Sequence, residues 1–267
     1  MKMMKKVLAL LIIAVMMLTM AACGGNKDTS SDIKPKSDVA AIQAAGKLVV
    51  GVTVYEPMNY LNKDGAWDGF DTEFANAVAK KLGVEAQFVI IDWDNKWASL
   101  NSKKIDCVWN GMTLSDEAKA NASCTDPYVL NAQVVVMKAD KVADYKDAAS
   151  MKDLKFAVEA GSAGKDIANE NKFTITEYAT QTDAMSAVKA GKADACVIDI
   201  TMAKAMTGEG TNFADLGIGV SLTEEEYAIA CRKDSDLTAK INELMKELKN
   251  DGTLTGLATK YNLNLAE

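Results

Sequence analysis

The 267-residue chain contains no histidine. That absence excludes His-dependent general-base catalysis, Ser-His-Asp triads and His-ligated metal sites. Arginine is almost missing too, with Arg232 the single example. Chemistry that needs several guanidinium groups to clamp an anionic substrate therefore has little to work with. Basic surface is scarce: the formal net charge is −7 at pH 7, which argues against a phosphate backbone and any nucleic-acid partner. None of the five cysteines stands in C-x-x-C spacing, so no zinc site or redox pair is indicated. Cys107, Cys196 and Cys231 lie in apolar strand-like runs, where a thiol is usually a small core residue, and nothing forces a disulfide. The long apolar run Val7 to Met20 is too short for a comfortable membrane span.

What remains is an ordinary globular composition, 49% apolar and 25% charged, long enough for one large domain or two of usual size. Lys2, Lys5 and Lys6 precede the apolar run, so residues 1–22 read as a signal peptide. Their removal takes the net charge from −7 to −10. Ala21-Ala22 lead into Cys23, which resembles the bacterial lipobox with Met20 in place of the usual Leu. That resemblance implies lipidation of Cys23 and anchoring to the outer face of the cell membrane. The Gly/Ser/charge-rich stretch after it makes 23–45 a flexible tether.

From Lys47 strands and helices alternate. Lys47–Val54 reads as a buried parallel strand. Asp71 heads a helix with Phe74, Val78 and Leu82 on one stripe, ended by Gly83. Val84–Ile91 is a strand, Asp94 caps a short helix through Trp97 and Leu100, and Ile105–Trp109 is a third strand. Asn110-Gly111 makes a turn, Thr113 follows, and Ser115 with Asp116 and Glu117 opens another helix. A polar turn between a strand and a helix N-terminus is where open α/β proteins place ligands. The pattern then restarts: Gln133–Lys138, Leu154–Glu159, Phe173–Glu177 and Ala195–Ile200 are strands, with helices at 163–171 and 182–190. Tyr227–Arg232 is a returning strand. Ser235 caps a helix carrying Leu237, Ile241, Leu244 and Leu248, and a last helix carries Leu254, Leu257 and Tyr261. The expected class is α/β with two lobes: 46–138, an inserted lobe at 139–226, and a return at 227–267.

Several short motifs stand in one collinear order: Tyr55-Glu56-Pro57, Asp68-Gly69-Phe70-Asp71, Lys81-Leu82-Gly83-Val84, Gly111-Met112-Thr113, Thr125-Asp126-Pro127-Tyr128, Ala160-Gly161-Ser162, and Asp251-Gly252-Thr253 before Lys260-Tyr261. In this order they resemble the family 3 extracytoplasmic solute-binding proteins of polar amino-acid ABC importers. The resemblance implies a periplasmic-binding-protein-like fold with the ligand cleft between two lobes. It implies aromatic walls at Tyr55 and Trp93. Contacts to the ligand's amino group and carboxylate would come from Asn110, Gly111 and Thr113. The second lobe would supply Gly161, Ser162 and Ala163 at a helix start, and an acid, Asp199, for the ligand ammonium.

Two positions depart from the family. Its carboxylate-clamping Arg falls at Ala118, and an Asp found in several members falls at Val52. Lys119 lies about 100° around the helix from Ala118 and is no substitute. Losing a two-pronged clamp would weaken carboxylate binding by roughly 3–5 kcal/mol. Glu159 beside Asp199 favours a cationic or amine-bearing solute. The expected protein is a non-catalytic monomer without cofactor or metal, partnered by a small solute, an ABC permease and the membrane. The competing readings are a dehydratase-like enzyme on the same fold and a ligand-sensing module of a receptor.

Overall fold

The computed structural model describes residues 37–267. The expected signal peptide, Cys23 with its lipidation, and the start of the tether lie outside the described residues. The rest of the expected tether is not a tether. Asp38–Ala45 is a helix, capped by Ser37, whose Oγ accepts the Ala40 N–H, and stopped by Gly46 in the left-handed region. It buries Ile42 and packs on the helix Asp236–Asn250. Arg232 ties it down: Nε meets Asp38 at 3.1 Å, Nη2 meets Asp106 at 3.2 Å, and Nη1 donates to the Ile105 carbonyl at 2.7 Å. The lone arginine is thus committed to the scaffold.

Leu48, Val50 and Val52 have no solvent exposure, which demands cover on the strand that carries them. Lys47–Val52 pairs in parallel with Glu85–Ile90 on one side and Cys107–Val108 on the other. Ala230–Cys231 and Ser123–Cys124 complete this first sheet, Ala230–Cys231 running antiparallel to both of its neighbours. The helix Phe70–Leu82 packs against the sheet and against the C-terminal helices Asp236–Asn250 and Thr253–Tyr261. The stripe Leu237, Ile241, Leu244 and Leu248 is buried as its spacing requires, and Trp109 meets Phe74 edge-on in the core.

The second sheet runs in the order Thr174–Tyr178, Lys155–Glu159, Ala195–Asp199, Gln133–Lys138, Leu216–Ser221. Its first three strands are parallel and its last two antiparallel to their neighbours. This places Gln133–Lys138 in the second lobe, where the sequence pattern had assigned it to the first. Five of its six residues are buried; such a strand needs both edges paired and its faces covered, and here Ala195–Asp199 and Leu216–Ser221 pair the edges while the helices Ala163–Glu170, Gln181–Lys189 and Ile200–Met206 pack on it. The chain crosses between lobes earlier, through an antiparallel ribbon of Val129–Asn131 with Glu225–Tyr227. For the same reason the expected strand Tyr227–Arg232 is divided: Tyr227 closes the ribbon, and only Ala230–Cys231 joins the first sheet.

Candidate functional site

The C-terminal ends of Lys47–Val52 and Cys107–Val108 bring two loops together. Asn110 binds them: its Oδ1 accepts the Thr53 N–H at 3.0 Å and Asn59 Nδ2 at 2.9 Å, while its Nδ2 donates to Thr53 Oγ1 at 2.6 Å. Its side chain is therefore spent on holding the loop that carries Tyr55. Gly111 has φ +55°, and a Cβ there would stand 2.7 Å from the Tyr55 ring; only glycine allows that approach. The Gly111 N–H donates to Asp71 Oδ2 at 2.6 Å, and the Tyr128 hydroxyl donates to the same oxygen at 3.0 Å. Asp71 is thus not the helix cap that its position suggested: it turns inward, and burial pushes its carboxyl up to about 7 despite those two bonds.

Tyr55 crosses the cleft. Its hydroxyl lies 2.5 Å from Thr201 Oγ1 in the second lobe and 2.5 Å from the Tyr227 hydroxyl of the ribbon. Trp93 opens a short 3-10 turn capped by Asp92, not by Asp94, and the helix Lys96–Asn101 follows. One turn on from Trp93, Lys96 folds its side chain inward. The Lys96 ammonium stands 5.1 Å from the centres of both the Trp93 and Trp97 rings. It donates to the Gly161 carbonyl of the other lobe at 2.8 Å. Trp97 is steadied by its Nε1–H donating to Glu117 at 2.6 Å.

The second lobe contributes Glu159-Ala160-Gly161-Ser162 after the strand Lys155–Glu159. Ser162 caps the helix Ala163–Glu170; its Oγ accepts the Lys165 N–H at 3.1 Å and donates to the Glu159 carbonyl at 2.8 Å. Asp199 ends the strand Ala195–Asp199 and is 5% exposed. Its Oδ1 accepts from Asn131 at 2.5 Å and Gln133 at 2.8 Å, its Oδ2 accepts from Gln181, and its N–H is taken by Gln181 Oε1 at 3.0 Å. The same Asn131 and Gln133 amides reach Glu225 Oε1, which also accepts the Thr113 hydroxyl at 2.8 Å. Burial first, and the Glu225 carboxylate second, push the Asp199 carboxyl above its usual range. Burial, then the Asp199 charge, pushes Glu159 up to about 8. No ion pair is made by Asp199, Glu159 or Lys96 among the described residues.

Tyr55, Trp93, Asn110, Gly111, Thr113, Gly161, Ser162, Ala163 and Asp199 all line one cavity of about 30 Å³ between the lobes, together with Ala118 and Glu159. Val52 does not; it is buried in the first sheet. The sequence pattern missed three participants. Gln181 was hidden at a helix start, and Glu225 lay in a stretch without a clear strand signal. Lys96 had a legible signal, since it stands three positions after Trp93 and next to Trp97.

Residues 48–264 match the model for bacterial extracellular solute-binding proteins, family 3. The chain belongs to that family. It is 32% identical over 267 residues to the arginine-binding extracellular protein ArtP of Bacillus subtilis (strain 168), covering 97% of this chain and 98% of that one. It is 31% identical over 224 residues to the L-cystine-binding protein TcyJ of Escherichia coli (strain K12), covering 82% and 84%. A solved ancestral amino acid-binding protein, described as a precursor of cyclohexadienyl dehydratase, superposes with a TM-score of 0.78 at 31% identity, covering 84% of this chain and 99% of that one. The two curated relatives are binding proteins, and family membership makes this an extracellular solute-binding chain on a two-lobed α/β fold.

Proposed function

We propose that this family 3 protein is the receptor subunit of an ABC importer and that its solute is an amino acid or related amine held by its ammonium on Asp199. The observation that carries this is Asp199 itself: a carboxylate 5% exposed, lining the interlobe cavity, oriented by three amide donors and given no cation by the described residues. A buried carboxylate is costly unless a positive group completes it, and an alkylammonium with three donors suits the acceptor capacity that the amides leave. Tyr55 and Trp93 then wall the solute, Gly111 and Thr113 line the first-lobe side, and Gly161, Ser162 and Ala163 face it from a helix start. The Val129–Asn131 and Glu225–Tyr227 ribbon serves as the hinge that lets the lobes part and close.

The relatives' arginine and cystine both carry an α-ammonium, which supports the amino-acid class without choosing a member. The reading includes no reaction; the single arginine is bound to Asp38 and Asp106, so the cleft has no guanidinium with which to clamp an anionic substrate. Tethering through a lipidated Cys23, a monomeric state and delivery to a membrane permease complete the proposal. A thermal-shift screen of amino acids and simple amines tests it. Ligand at 100 times its Kd adds about 2.7 kcal/mol, a rise of roughly 5–10 °C for a domain of this size. Asp199→Ala should abolish the shift while the far-UV spectrum stays unchanged. If no amine shifts the protein while simple carboxylates do, the reading fails.

A further inference from the structure

Lys96 stands in the same interlobe cavity as Asp199 and Ala118. We propose that Lys96 is the anchor for the solute's α-carboxylate, acting together with the N-terminus of the helix Ala163–Glu170. The inference rests on the amino-acid reading above and assigns the other end of the same ligand.

Three features carry it. Lys96 is only 4% exposed, yet its ammonium has no carboxylate within 4 Å; its hydrogen bonds go to the neutral carbonyls of Gly161 at 2.8 Å and, weakly, Trp93 at 3.4 Å. Burial accordingly lowers its pKa, and the more distant Glu117, Glu159, Asp94 and Asp166 only offset that. Glu117, the strongest of these, is engaged by Trp97 Nε1. Second, the bond to Gly161 brings the ammonium beside the helix start. There Ser162 Oγ satisfies Lys165 N–H, while the Ala163 and Gly164 N–H groups find no partner among the described residues. A buried cation and the start of a helix with an unpartnered Ala163 N–H, lining one cavity, suit an anion. Third, the Trp93 and Trp97 rings flank the ammonium and fix its approach, as cation–π contacts do when desolvated.

On binding, Lys96 would exchange the Gly161 carbonyl for the ligand carboxylate, a neutral acceptor for a charged one. A zwitterion would then lie with its ammonium on Asp199 and its carboxylate between Lys96 and the helix.

The test is calorimetric. The standard amino acids, ornithine and cystine are titrated into the full chain, and each that binds is compared with its decarboxylated amine: arginine with agmatine, cystine with cystamine. Wild type should favour the amino acid, and Lys96→Met should weaken it by about ten- to a hundredfold while leaving the amine within about threefold. Lys96→Arg, which keeps the charge, should retain most of the preference; Lys96→Gln replaces the Met variant if that fails to fold. An unchanged amino-acid affinity in Lys96→Met or Lys96→Gln overturns the Lys96 assignment alone. Absence of any amino-acid binding to wild type overturns this inference; if simple amines fail to bind as well, the solute reading falls with it.

Discussion

Gly161 of the second lobe lies so close to Asp94 of the first that a Cβ added to the glycine would stand 2.7 Å from Asp94 Oδ1 and 2.8 Å from its Cα. With φ +67°, Gly161 also holds a backbone conformation that a side chain strains. The two lobes therefore meet at a residue with no room for a methyl group, and the Lys96 bond to the Gly161 carbonyl depends on that approach.

Gly161→Ala should hold the lobes apart. Solute affinity is expected to fall about five- to thirtyfold, in line with a strain of about 1–2 kcal/mol, mostly through faster dissociation. Stopped-flow binding and the small-angle scattering radius with ligand check this. A variant that closes and binds like wild type would remove Gly161 from the closing contact.

Asp71→Ala should destabilise the first lobe by about 2–4 kcal/mol, because the Gly111 N–H and the Tyr128 hydroxyl lose their shared acceptor inside the core. Urea unfolding measures it. The same variant should also weaken binding, since Gly111 packs on the Tyr55 ring.

A chain beginning at Gly46 should be less stable than one beginning at Ser37. The deletion removes Ile42 from the core and the Asp38 partner of Arg232, for a loss of about 2–3 kcal/mol dominated by the isoleucine. Equal urea midpoints would show that the helix Asp38–Ala45 contributes nothing to folding.

Stability without ligand should fall as pH rises from about 4 to about 8. Asp71 and Glu159 have carboxyls raised to about 7 and about 8, and Asp199 is raised as well, in each case by burial first. Over that window the folded chain holds protons that the unfolded chain has released, so raising the pH favours unfolding. Carboxyls held low, such as those of Asp68 and Asp251, are ionised in both states from pH 5 upward and add no slope there. Amine binding should run the other way and tighten toward pH 8, because ionised Asp199 is the form that holds an ammonium. Urea midpoints and calorimetric affinities at pH 5 and pH 8 test the two signs; a higher midpoint at pH 8 would contradict the first.

Much of this was legible in the order of residues. The buried strand Lys47–Val52, the capped helix Asp236–Asn250 with its leucine stripe and the serine caps at Ser115, Ser162 and Ser235 depend on local periodicity and on side chains a few positions away. These are properties of short stretches, so the fold class and the loops that face the cleft follow from local residue order. Which lobe owns Gln133–Lys138 depends on pairing with Ala195–Asp199 and Leu216–Ser221, neighbours distant in the chain. The tertiary structure alone turned Asp71 from a cap into a buried acceptor for Gly111 and Tyr128. It also brought Lys96 across to Gly161; a lysine's long side chain can point to water or inward, and only the packing of Trp93 and Trp97 around it settles which.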